Sequence, residues 1–201
     1  MDFSFDKIID RRNTYSLKYD TASGRGLPED VLPLWVADMD FQAPPAVIEA
    51  LVKRSEHGIF GYTEPGEDYY EGGQNWFRER FGWETQRQWL VQTPGVVFAL
   101  AMAVRAFTQE GDGVLIQQPV YYPFASVVKN NHRKLVNNPL VYENGGYQMD
   151  FEDLEAKIVA NGVKLFLLCS PHNPVGRVWT KEELQKLGEI CLRHGVTVVS
   201  D

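Results

Sequence analysis

Hydrophobic and polar positions alternate with two different textures along this chain. Residues 1–43 are irregular and turn-rich, with one apolar run, "LPLWVADMDF" at 32–41, that carries two acids. Helix signals begin at Pro44 and Pro45; Val47, Ile48, Leu51 and Val52 then share one face, and Gly58 stops the run. A second helix is predicted over 67–81, although Gly72 and Gly73 disfavour it. From "GVVFALAMAVRAFTQEGD" the pattern becomes regular. It predicts a helix over 96–109 closed by Gly111, a strand over 113–119, and a helix over 121–132. Residues 134–142 are strand-like, with Pro139 marking an edge or a break. Asp150 caps a helix that runs to Asn161, with Gly162 just beyond it. "VKLFLLCS" (163–170) is continuously apolar, as a strand covered on both faces must be. Thr180 and Glu183 form a capping box that opens a helix ending near Gly195, and "VTVVS" follows as a last strand.

Strands alternating with helices at this spacing predict an α/β fold: a mostly parallel sheet, right-handed crossovers and helices on both faces. Composition changes that picture little. The net charge of −7 argues against general affinity for nucleic acid or an anionic membrane surface. No apolar run approaches the roughly 18 residues of a spanning helix, and the charged start "MDFSFDKIIDRRNTYSLKYD" lacks the apolar stretch of a secretory signal. Cys169 and Cys191 give neither a disulfide framework nor a metal spacing, so a reducing cytoplasm is the default. Histidines at 57, 132, 172 and 194 are scattered, and a metal is set aside.

Open α/β sheets bind ligands outside the carboxyl ends of their strands. That rule singles out "QQPVYYP", "CSPHNPVGRVW" and the pair Ser200–Asp201, with the helix start "TPGVVFAL" as a further element for the same rim. Each has a plain alternative. Asn-Pro with a nearby Gly is common turn punctuation, paired tyrosines usually pack, and an acid after a strand is often a solvated end or a helix cap. The usual phosphate loops are missing. There is no GxxxxGK[ST], and Gly24-Arg25-Gly26 lacks the third glycine and the preceding strand of a dinucleotide site.

Taken together, "LPLWVADMDF", "GIFGYT", "TPGVVFAL", "QQPVYYPF", "LCSPHNPVGRVW" and "VVSD" resemble, in order and interval, the pyridoxal-phosphate enzymes of the aspartate-aminotransferase fold. The chain is most similar to the cystathionine β-lyase/aminotransferase-like carbon–sulfur lyases, and the resemblance covers essentially its whole length. It implies an N-terminal arm and substrate-site segment at 1–43, and the N-terminal part of a large cofactor-binding domain at 44–201. Asp201 would keep the cofactor's ring nitrogen protonated. Asn173 would donate to the ring's phenolate oxygen, Tyr121 would stack on the ring, and the backbone amides of Val96 and Val97 would meet the phosphate. Tyr62 matches a tyrosine that reaches the partner's phosphate across a homodimer interface. Ala37 falls in the segment lining the substrate carboxylate, with Trp35 as a wall beside it.

The family's Schiff-base lysine is expected beyond Asp201, with an arginine for the substrate carboxylate further on, so the remaining strands and the small domain would follow. The implied reaction is α,β-elimination from cysteine-S-conjugates, giving thiol, pyruvate and ammonia; these 201 residues alone are expected to be inactive. Transamination on the same fold is the alternative. A non-catalytic binding or regulatory fragment and a different, nucleotide-dependent α/β enzyme are the rivals. Asp38 and Asp40 could suggest paired-carboxylate hydrolysis, but solvated or loop-bonding acids are the preferred reading.

Overall fold

The longest apolar strand lies inside the sheet, paired on both sides. This is seen in a computed structural model that describes residues 4–28 and 30–201. Strands β1 (Gly113–Ile116), β2 (Lys134–Asn137), β5 (Val163–Leu168) and β6 (Thr197–Ser200) form one sheet in the order β2-β1-β5-β6. Every neighbouring pair is parallel: Leu115 stands against Val136 on one side and Phe166 on the other, and Phe166 against Val198. Helices α4 (Pro123–Asn130) and α6 (Lys181–Arg193) make the crossovers from β1 to β2 and from β5 to β6. Helix α3 (Val96–Phe107) leads into β1, and α5 (Phe151–Asn161) leads into β5.

Alternation along the strands sorts the core into two layers. Val114, Ile116, Leu165 and Leu167 pack with Leu100 and Val104 of α3 and with Phe124, Val127 and Val128 of α4. Leu115, Phe166 and Leu168 point the other way, onto Leu154 and Ile158 of α5 and Leu187, Ile190 and Cys191 of α6. Burying each large apolar side chain contributes about 1.5–3 kcal/mol, so these two layers hold the sheet. Pairing slips once, where Gly113 faces Val163 but Val114 faces Leu165. Lys164 is the extra, exposed residue of that bulge. The bulge changes the phase of β5, so Val163 joins the layer of Phe166 rather than that of Leu165. The strands close up tightly there: a Cβ on Gly113 would meet Asn161 O at 2.9 Å and Val163 Cα at 3.3 Å.

Helix ends follow the sequence signals. Asp150 accepts from Asp153 N at 3.0 Å, and Gly162 takes the left-handed conformation. Thr180 and Glu183 bond reciprocally, at 3.2 and 2.8 Å. Helix α2 (Glu67–Phe81) runs through Gly72 and Gly73 without a break. The predicted strand over 134–142 is corrected. It divides at Pro139 into β2 and a separate hairpin of β3 (Val141–Glu143) and β4 (Gly146–Gln148). Asn144 and Gly145 turn that hairpin with φ of 51° and 79°, the left-handed pair a two-residue turn demands. The strand predicted over 113–119 ends at Ile116, ahead of a cis Gln118–Pro119 peptide.

The chain divides into two compact units, at Gly66/Glu67. The first holds α1 (Pro45–Glu56) and the loops before it. Its Asp20 carboxylate accepts from the backbone N–H groups of Asn13, Thr14 and Ser16, and these bonds hold the group below the usual carboxylate range. Among the described residues no helix is long and apolar enough to cross a membrane, and no cluster of His, Cys, Asp or Glu could hold a metal.

Candidate functional site

Parallel strands end at one rim, and the three motifs singled out by sequence all lie on it. The segment from Gln117 to Tyr121 leaves β1, residues 169–180 leave β5, and Asp201 follows β6. Because β1, β5 and β6 are adjacent, their ends are neighbours. Asp201 is fixed by its own backbone: its N–H donates to Leu168 O at 2.9 Å and its carbonyl accepts from Ser170 N at 2.8 Å. Helix α3 finishes at Phe107, shortly before β1 begins, so it runs antiparallel to β1 and its first turn faces the same rim.

The side chains there are unsatisfied in a consistent way. Asp201 is an exposed residue whose carboxylate has no hydrogen bond or ion pair among the described residues, and the partial cover the rim gives it pushes the group above its ordinary range. Burial likewise raises the Cys169 thiol; the Asn173 backbone N–H opposes this and the Asp201 charge adds to it. The Asn173 amide side chain is exposed and without a hydrogen bond among the described residues, while its backbone N–H donates to Cys169 Sγ at 3.4 Å. Tyr121 is partly exposed, with its ring edge-on to Tyr122 at 5.1 Å. Val96 and Val97 open α3 behind Gly95, which supplies no side-chain cap, so the first N–H groups remain available to an anion.

Tyr62, Ala37 and Trp35 belong to the first unit. Tyr62 is fully exposed, Ala37 is exposed, and Trp35 is half-buried with an indole N–H that finds no acceptor among the described residues. Asp38 and Asp40 are loop-bonding acids. Arg11 bonds both, and Lys18 Nζ donates to Asp38 O and Asp40 Oδ2, each at 3.0 Å. The Arg11 and Lys18 hydrogen bonds hold the Asp40 carboxyl below its usual range. This network pins the segment that carries Ala37. Lys186 sits over the Phe151 ring at 4.5 Å, and Lys181 opens α6.

Sequence reasoning missed the residues that tie the rim together. His172 is 1% exposed and reaches Pro119 O, Gln117 bonds Asn138 Oδ1 at 2.9 Å, and Trp179 Nε1 donates to Cys169 O at 3.0 Å. His172 and Trp179 stood inside the motif "CSPHNPVGRVW", but burial at a loop leaves no periodic trace.

A parallel α/β sheet with the three motifs at one rim is consistent with the fold of the aminotransferases of class I and II. The chain belongs to that family, whose model matches residues 29–201. Within it, the chain is similar to cystathionine β-lyase PatB of Bacillus subtilis, with 51% identity over 198 residues, 98% of this chain and 51% of that protein. Among solved structures it is similar to cystalysin of Treponema denticola, which contains pyridoxal 5'-phosphate. The TM-score is 0.92 at 43% identity, covering 100% of this chain and 52% of that one. The pyridoxal-phosphate-bound C–S lyase of Staphylococcus hominis matches with a TM-score of 0.91 at 37% identity, over 100% of this chain and 51% of that one. The chain thus spans about half the length of the relatives it matches.

Proposed function

We propose that this chain is the cofactor-binding part of a pyridoxal-phosphate-dependent carbon–sulfur β-lyase. The whole protein would convert a cysteine-S-conjugate such as cystathionine, with water, into a thiol, pyruvate and ammonia. When bound, pyridoxal phosphate supplies an electron sink for the charge left at the substrate's Cα. The observation that carries the reading is Asp201, an exposed carboxylate held at the strand rim by two backbone hydrogen bonds, without a side-chain partner among the described residues and shifted above its ordinary range by partial cover. Such a group gains most from a cationic partner, and a protonated ring nitrogen is one; each then favours the other's charged form. The residues around it fit the same ligand. Asn173 offers a free amide to the ring oxygen, Tyr121 a flat face, and Val96 and Val97 backbone N–H groups to the phosphate.

In this reading Ala37 lies along the substrate carboxylate with Trp35 beside it. Tyr62 completes the phosphate site of a second subunit in a homodimer. The same reading assigns the lysine that bonds the cofactor, and the arginine for the substrate carboxylate, to sequence beyond Asp201. Transamination is the second reading, favoured by the family's own description. Pyruvate release from cystathionine, measured against amino transfer to a keto acid, separates the two; dominant amino transfer removes the lyase assignment. In the full-length protein, Asp201→Ala should lower turnover about a hundredfold or more while the cofactor is still taken up. Undiminished turnover in that variant defeats the proposal.

A further inference from the structure

We infer that His172 is a neutral positioning residue that sets the spacing between the rim loop carrying Tyr121 and the loop carrying Asn173. Its bearing on the cofactor rests on the reading above. The mechanical claim stands on geometry alone.

His172 is clamped within its own loop at both backbone groups. Its N–H donates to Arg177 O at 2.7 Å, and its carbonyl accepts from Gly176 N at 2.8 Å. The ring then reaches 53 residues back along the chain, where Nε2 lies 3.0 Å from Pro119 O. A carbonyl only accepts, so Nε2 carries the ring proton. Nδ1 is buried without a hydrogen-bond partner. The ring plane is fixed as well. His172 stands edge-on to Trp179, with centroids 5.4 Å apart and planes at 86°. Trp179 is itself held by its bond to Cys169 O and by the Arg177 guanidinium lying 4.7 Å over its ring. Arg177 is anchored in turn on Tyr147 O and Glu183, at 2.7 and 2.6 Å.

Position makes this tie more than core packing. Outside the strand ladder, the direct hydrogen bond between the loop 117–122 and the loop 169–177 among the described residues comes from the His172 ring. One end is adjacent in sequence to Asn173, and the other is two residues before Tyr121. A ring and an amide that must meet opposite parts of one flat ligand need a fixed separation, because a displacement of about 1 Å is enough to cost binding and rate. Burial lowers the basicity of the imidazole, against the opposing pull of the Pro119, Gln117 and Cys169 carbonyls. A neutral ring is what a strut with a single donor requires.

The test uses the full-length protein with His172→Leu, which keeps bulk and loses the donor, and His172→Gln, which keeps an N–H. Loss of a buried hydrogen bond of this kind corresponds to about tenfold. His172→Leu should therefore raise amide exchange in peptides spanning 117–124 and 169–176 about tenfold without cofactor, and weaken pyridoxal-phosphate binding by a similar factor in absorbance titration. His172→Gln should recover most of both. A folded His172→Leu protein with unchanged exchange and unchanged binding overturns the inference and leaves the cofactor reading intact. Loosened loops in a protein that binds no pyridoxal phosphate even as wild type keep the strut and remove the cofactor reading. If His172→Leu does not fold, nitrogen-15 spectra of the wild-type ring decide. A neutral ring protonated at Nε2 from about pH 6 to about pH 9 supports the strut, whereas a cationic ring or the other tautomer overturns it.

Discussion

Helices α1 and α6 are both amphipathic by sequence, yet they end up in opposite circumstances. α6 buries Leu187, Ile190 and Cys191 against the sheet, while α1 buries none of its residues although Val47, Leu51 and Val52 share a face. Their stripes predict a helix equally well. What differs is the partner, since α6 follows β5 directly and packs back on the same sheet, whereas α1 sits in the unit without strands. A hydrophobic stripe therefore reports that a helix needs cover, and only topology says what supplies it.

The largest test of this contrast is a matched pair of truncations. Phe166→Ala should cost about 3–5 kcal/mol, because Phe166 is fully buried between α5 and α6. Leu51→Ala, at an exposed position, should stay within about 0.5 kcal/mol in this chain. Urea midpoints measure both, and a large Leu51 effect would mean that α1 is packed after all. A smaller contrast lies at the helix starts. Thr180→Ala removes the hydroxyl half of the α6 capping box, leaving the backbone N–H of residue 180 on the Glu183 carboxylate, and should cost about 1 kcal/mol by the same assay. α1 has Pro44 at its N-cap, without any side-chain cap, so no equivalent loss exists there.

The smallest effect is in pH dependence. His172, with its ordinary value of 6.5 lowered by burial, takes up a proton more readily when unfolded. Its contribution is complete above about pH 6.5 and is lost as pH falls through its native value. The groups acting on the ring are the carbonyls of Pro119, Gln117 and Cys169, which oppose the shift; Cys169 is the titratable neighbour, and Arg177 lies across Trp179. His172→Gln should flatten the fall in urea midpoint below pH 6.5, whereas Leu51→Ala in the first unit, which removes no ionisable group, should leave that slope unchanged. An equal change in both variants would break the distinction.

Much of the α/β part was readable because its signals are local. The run 163–170 was a buried strand, Asp150 and Thr180 were caps, and the alternation of strands and helices implied the parallel sheet. The β3–β4 hairpin was missed although Asn144-Gly145 is a strong turn signal, because three-residue strands show too little alternation to draw attention. The candidate site was legible only through resemblance. Nothing in the spacing of Asp201 or Asn173 says that each would stand unpaired at one rim. His172 was invisible for a different reason, since its importance lies in a contact 53 residues away. Asp38 and Asp40 show the reverse: their plain role as loop-bonding acids was anticipated, and Arg11 and Lys18 supply the partners.

The bulge at Lys164 has a practical consequence for anyone shortening the connection into the central strand. Deleting that lysine would remove the one-residue offset that lets Val163 and Leu165 serve opposite layers, so a swap of loops between relatives must preserve parity as well as length. Gly113 enforces the same count from across the gap, because even a methyl group would collide with Asn161 O and wedge the two strands apart.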